Sequence, residues 1–115
     1  MSKIIDLTYL IDISGGDNGF IKEMLELFVT TATTESELFD ELVENNDFDG
    51  ISRLAHKMKA AIQMLGANDL FNSIKLLEQY SNEHSHADEI PSMVAKIKDQ
   101  IQLSIVEIKE IVLSL

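Results

Sequence analysis

His56 is the residue of this chain best placed to do chemistry, because its own helix leaves it facing water. The stretch Ala55-His56-Lys57-Met58-Lys59-Ala60-Ala61-Ile62-Gln63-Met64-Leu65-Gly66 has helical periodicity. Set His56 at 0° and advance about 100° per residue. Ile51, Leu54, Ala55, Met58, Ala61, Ile62 and Leu65 then fall between roughly 140° and 260°. That apolar stripe lies nearly opposite the histidine. Lys59, Ala60 and Gln63 fall at about −60°, +40° and −20°, on the histidine's own side. An exposed imidazole can act as a nucleophile. A neighbouring ammonium can hold an anion, and a small residue leaves room for that anion and its donor. Arg53 and Lys57 extend the basic spot. Met64, at about 80°, lies at its rim. Taken alone, an exposed histidine among three cations is ordinary helix surface.

The wider pattern is more specific. His-x-Met-Lys followed by Leu-Gly-Ala, with Gly66 ten residues after His56, resembles the signature of histidine-containing phosphotransfer (HPt) domains. Ile13-Ser14-Gly15-Gly16-Asp17 and Phe20 to Phe28 resemble the start of that family's first long helix. Asn46-Asp47-Phe48-Asp49 resembles the tight turn before its histidine helix, and Leu76-Leu77-Glu78 the core of the helix that follows. The likeness runs from about Asp6 to Glu83. It implies a four-helix bundle that carries phosphoryl groups between receiver-domain aspartates of a two-component system. It also implies that His56 accepts the phosphoryl group on its outer ring nitrogen. By resemblance and by position, Lys59 steadies the phosphoryl oxygens, with Arg53, Lys57, Ala60, Gln63 and Met64 as the binding surface. The family usually has glycine four residues after the histidine and a small residue seven after. This chain has Ala60 and Gln63, and both bear on transfer efficiency.

The resemblance further implies partners: response-regulator receiver domains and a hybrid sensor histidine kinase. The receiver brings the magnesium ion and the aspartate, so no cofactor and no metal is expected on this chain. No glycine-rich phosphate loop and no Walker pattern occurs, so the expectation is a stoichiometric carrier rather than an enzyme. A second reading is a non-phosphorylated bundle that docks a receiver or another regulator. A third is a purely structural bundle.

Composition narrows the class. A chain of 115 residues with 45% hydrophobic content suits one domain, 1–115, with a packed core. There are no cysteines, so disulfides and thiolate chemistry are excluded. Net charge is −11, which repels nucleic-acid phosphates and anionic membrane surfaces. No basic stripe with interleaved aromatics is present. The N-terminus lacks a basic-then-apolar leader, and no uncharged apolar run approaches a membrane span. A cytoplasmic monomer is expected.

The elements that must position His56 read as follows. Asp6 caps a short helix, Leu7 to Ile13. A long amphipathic helix runs from about Asn18 to Glu44, with Phe20, Met24, Leu25, Phe28, Ala32, Leu38, Phe39, Leu42 and Val43 on its buried face. Its middle, Thr30-Thr31-Ala32-Thr33-Thr34, has weak helix propensity. The histidine helix runs from about Phe48 to Leu65 and ends at Gly66. Asn68 or Asp69 caps a third long helix, Leu70 to about Asn82, with Leu70, Phe71, Ile74, Leu77 and Tyr80 in its core. Glu83 to Glu89, which includes His84 and His86, is a solvated acidic connection with a weak metal-ligand look. Pro91 opens the last helix, which runs to about Ser114. Its Ile90, Val94, Ile97, Ile101, Ile105, Ile108, Val112 and Leu115 recur at near-heptad spacing. The sum is an all-α, antiparallel up-down four-helix bundle with a short N-terminal capping helix.

Overall fold

Side-chain caps start two of the long helices and a proline opens a third. In the computed structural model, which describes residues 4–115, five helices follow one another: α1 (Thr8–Ser14), α2 (Asn18–Glu44), α3 (Phe48–Met64), α4 (Asn68–Asn82) and α5 (Ile90–Ser114). The expectation that no leader is present bears partly on residues 1–3, which lie outside the described residues. Asp6 accepts hydrogen bonds from the Thr8 N–H at 2.9 Å and the Thr8 hydroxyl at 2.6 Å, so α1 begins one residue later than expected. Asp17 and Asp47 cap α2 and α3 by accepting the N–H of Phe20 and of Gly50. Neither Asn68 nor Asp69 caps α4. Ala67 stands at that position without a side-chain bond, and Asn68 is already helical. Pro91 occupies the first turn of α5, where its missing N–H costs nothing.

The threonine-rich middle of α2 stays helical. Thr30, Thr33 and Thr34 turn their hydroxyls back onto the carbonyls of Glu26, Val29 and Thr30, and Ala32 is buried against the bundle. Short connections at residues 15–17, 45–47 and 65–67 force consecutive helices to run antiparallel. α2 through α5 form a ring in which α3 packs most extensively on α4, and α5 closes back onto α2. α1 lies against α2 at one end.

The core holds Leu25, Phe39, Ile51, Ile62, Leu70, Ile74, Leu77, Ile97 and Ile101, all nearly sealed from water. Several expected core positions lie elsewhere. Phe20 and Leu38 are exposed, and Ile21 takes the buried position beside Phe20. Ala61 is exposed, and it lines an open cavity between α2 and α3 instead of packing in the core. Phe71, Tyr80 and Val112 are half-buried, and Leu115 is exposed beyond the last turn. Conversely, Glu35 is buried in α2: its spacing from Phe28, Ala32 and Phe39 puts it on the apolar stripe, although its charge reads as an interruption there.

Two backbone details tie the N-terminal segment to the end of α3. Gly66 has φ +64°, and a Cβ there would meet the Asp6 carbonyl oxygen at 2.5 Å. The Asp6 N–H donates to the Leu65 carbonyl at 2.9 Å. Only glycine fits that approach, and the lock fixes the end of the histidine helix.

Candidate functional site

The site is built across the α3–α4 pairing. Small residues on α3, Ser52 and Ala55, are buried and let α4 come close. Ser52 donates its hydroxyl to the Glu78 carbonyl at 3.4 Å, which fixes α4 one turn away from His56. The His56 side chain is 72% exposed, as its angular offset from the stripe demanded. Its Nδ1 lies 2.7 Å from Glu78 Oε2. Lys59 Nζ lies 2.6 Å from the other oxygen, Glu78 Oε1. One carboxylate on α4 therefore holds both the histidine and the lysine of α3.

Partial burial works to raise the Glu78 carboxyl, but the hydrogen bonds and charges of Lys59 and His56 outweigh it. The group is held below the ordinary glutamate range. An ionised carboxylate can only accept hydrogen bonds. Nδ1 must therefore carry a proton. In the neutral ring this leaves Nε2 as the nitrogen with a free lone pair. The tautomer follows from the partner, not from a hydrogen seen directly.

The remaining expected site residues divide. Arg53, Lys57, Ala60 and Gln63 are exposed and Met64 is half-buried. Ala60 and Gln63 share the histidine's side of α3. Lys57 turns away, toward α2, where its Nζ lies 3.4 Å from Glu35 Oε2. Arg53 and Lys57 line a cleft between α2 and α3 with Leu38, Glu41 and Leu42. The three cations are thus two groups: Lys59 on the α4 side of His56, Arg53 and Lys57 on the α2 side.

Glu78 is the residue that the sequence reading missed. It was legible only as part of an apolar helix core. A signal did exist: it lies four residues after buried Ile74 and three before buried Ser81, at the margin of the stripe that meets α3. No single-helix pattern says which acid on a margin finds a partner across it.

The acidic connection is also better ordered than expected. His84 Nε2 lies 2.9 Å from Asp49 Oδ1 on α3, and its ring meets Phe48 edge-on at 5.5 Å. His86 stacks on Tyr80 at 3.7 Å. Both histidines have positive φ, a conformation that these contacts must offset. No group of three or more His, Cys, Asp or Glu is gathered as metal ligands among the described residues.

With this geometry in place, comparison with known proteins is direct. The family described as the Hpt domain matches residues 23–109. The chain belongs to the Hpt domain family. Hpt domains act with receiver domains and histidine kinases in phosphorelays, as carriers rather than kinases, and phosphorelay transfer in two-component signalling is the function of this one. The fold agrees with a solved structure, histidine-containing phosphotransfer protein B (HptB) from Pseudomonas aeruginosa PAO1. The TM-score is 0.89 at 15% identity, over 100% of this chain and 99% of that one. No curated protein matches the chain. No helix among the described residues of this Hpt domain is long and apolar enough to cross a membrane.

Proposed function

We propose that His56 is the phosphoryl acceptor of this Hpt domain, and that it attacks through Nε2. The reading rests on the Glu78 bridge. Glu78 fixes the Nδ1–H tautomer, directs the lone pair to Nε2, and stabilises the positive ring that forms as the N–P bond is made. In the step itself, Nε2 attacks the phosphorus of a receiver's aspartyl phosphate. The acyl P–O bond breaks and the aspartate leaves as carboxylate. The reverse step returns the group to a second receiver. Lys59 is close enough to follow the phosphoryl oxygens while remaining near Glu78. Ala60 and Gln63 form the surface over which a receiver approaches, with Met64 at its edge. Arg53 and Lys57 offer positive charge to a partner from the α2 side.

The chain supplies no cofactor in this reading: the magnesium ion belongs to the receiver. It has no kinase activity of its own and works as a cytoplasmic monomer, a single domain over 1–115, with receivers and a hybrid sensor histidine kinase as partners. The test is phosphorus NMR of the protein mixed with a phosphorylated receiver. A phosphoramidate signal coupled to the His56 Nε2 position, absent in His56→Gln, is the expected result. An unchanged signal in that variant would overturn the assignment. Receiver binding without any phosphoramidate would favour the non-phosphorylated docking module.

A further inference from the structure

A second carboxylate of this chain is only half provided for. Glu35 is 7% exposed, and its Oε2 is buried without accepting any hydrogen bond. Buried carboxylates ordinarily accept hydrogen bonds, because stripping water from an ion is costly. Lys57 approaches that oxygen at 3.4 Å from a side chain that is itself 72% exposed. A contact of that kind, open to water and without hydrogen-bond geometry, offsets little of the cost. Glu78 makes the contrast: there each oxygen has its own donor, the Lys59 ammonium at 2.6 Å and the His56 Nδ1–H at 2.7 Å.

Glu35 also lines a cavity of about 210 Å³ between α1, α2 and α3. The rest of the lining is nearly all apolar, with Met24, Phe28, Met58 and Met64 among it and Thr31 one turn from the acid. A cavity of about 150 Å³ with such walls takes a benzene ring. This one has room for a phenyl ring and a short chain. Methionine walls adjust their shape to an aromatic guest and make favourable sulfur–ring contacts.

We propose that this cavity is a binding site for a small primary amine on an apolar body, with its ammonium donating to the Glu35 carboxylate. The apolar part displaces poorly held water from the methionine and phenylalanine walls. The ammonium gives the buried carboxylate the hydrogen bond that Lys57 does not. Glu35 then bridges two donors, as Glu78 does on the other side of α3. Neutral molecules of the same size gain only the apolar part, and anions are repelled. The site stands on Glu35 and its cavity, independent of the phosphoryl acceptor assignment.

The test uses 2-phenylethylamine as the probe, with 2-phenylethanol and 3-phenylpropionate as size-matched neutral and anionic controls. Each is titrated into isotope-labelled protein and followed by amide chemical shifts. The amine should shift residues around Met24, Phe28, Thr31 and Met64 and bind at least tenfold more tightly than the alcohol, a difference of about 1.4 kcal/mol. The carboxylate probe should bind most weakly. Glu35→Gln should abolish the preference for the amine. Equal binding of amine and alcohol to the unaltered protein, or shifts confined to other surfaces, would overturn the proposal even if Glu35→Gln fails to fold.

Discussion

Two histidine–carboxylate pairs of similar length occur among the described residues of this Hpt domain, in very different surroundings. His56 meets Glu78 at 2.7 Å, and His84 meets Asp49 at 2.9 Å. In both, the carboxyl is held below its ordinary range. For Asp49 the hydrogen bond from His84 and its charge do this, with Arg53 adding to them against slight desolvation. The surroundings differ. Glu78 is four-fifths buried, sits on a helix anchored by Ser52, and shares its second oxygen with Lys59. Asp49 is mostly exposed, and His84 stands in a connection with left-handed backbone. Contact length therefore does not distinguish the two pairs; helical anchoring, a shared carboxylate and an adjacent cation do.

The largest effect that would break this comparison is loss of acceptance. His56→Gln should abolish acid-labile labelling by a phosphorylated receiver, while His84→Gln should leave it intact. His56→Gln should change stability by within about 0.5 kcal/mol, as exposed substitutions usually do, and thermal melting checks that the fold survives. Label retained in the first variant, or lost in the second, would erase the distinction between the pairs. Next in size is Ala60→Leu, which should block transfer by filling the space over which a receiver approaches, whereas Ala60→Gly should transfer at least as well. Stopped-flow or quench-flow rates decide, and a fast Ala60→Leu would move the docking face elsewhere.

Lys59→Ala comes third. Losing one charge-assisted contact costs roughly 1.5–3 kcal/mol, about 10- to 150-fold in rate. The corresponding change beside the other pair, Arg53→Ala, should leave the rate of the chemical step unchanged once the receiver is saturating. A rate constant measured at saturating receiver separates the two.

The smallest effect is on stability against pH. A carboxyl whose folded value is lowered stabilises the fold fully above the ordinary carboxylate value, near 4.5 for Glu78. That contribution is lost as the pH falls through the lower folded value. Acid titrations of melting temperature should therefore be shallower in Glu78→Gln than in the parent. For Asp49→Asn the difference should vanish in about 1 M salt, where screening acts over roughly 3 Å. A Glu78 contribution that salt removes just as easily would mean the two carboxylates are equally open to water.

How far the sequence reaches follows from where each fact is stored. The position of His56 was legible because it depends on one helix: its angle from Ile51, Met58 and Ile62 needs no neighbour. The helix limits of α2, with Asp17 before and Asn45 after, were legible for the same reason. Glu78 was not, because its role exists only across two helices. Phe20 and Leu38 were misplaced because α2 has more apolar surface than its neighbours cover, and periodicity cannot say which part they leave open. Glu35 was invisible in a stronger sense. An acid on an apolar face reads as an interruption until a cavity and a lysine from α3 are seen around it.

One feature of His56 reaches into the time domain. Its side chain stands 72% open to water, turned away from the apolar stripe of α3. A phosphoryl group held there would meet solvent from the moment the donor departs. Whatever shelter the bond has must arrive with each partner and leave with it. The life of the charged state between encounters is then a clock set by the chemistry of the N–P bond and by how often receivers collide. Signal would be kept by abundance and fast exchange, not by storage.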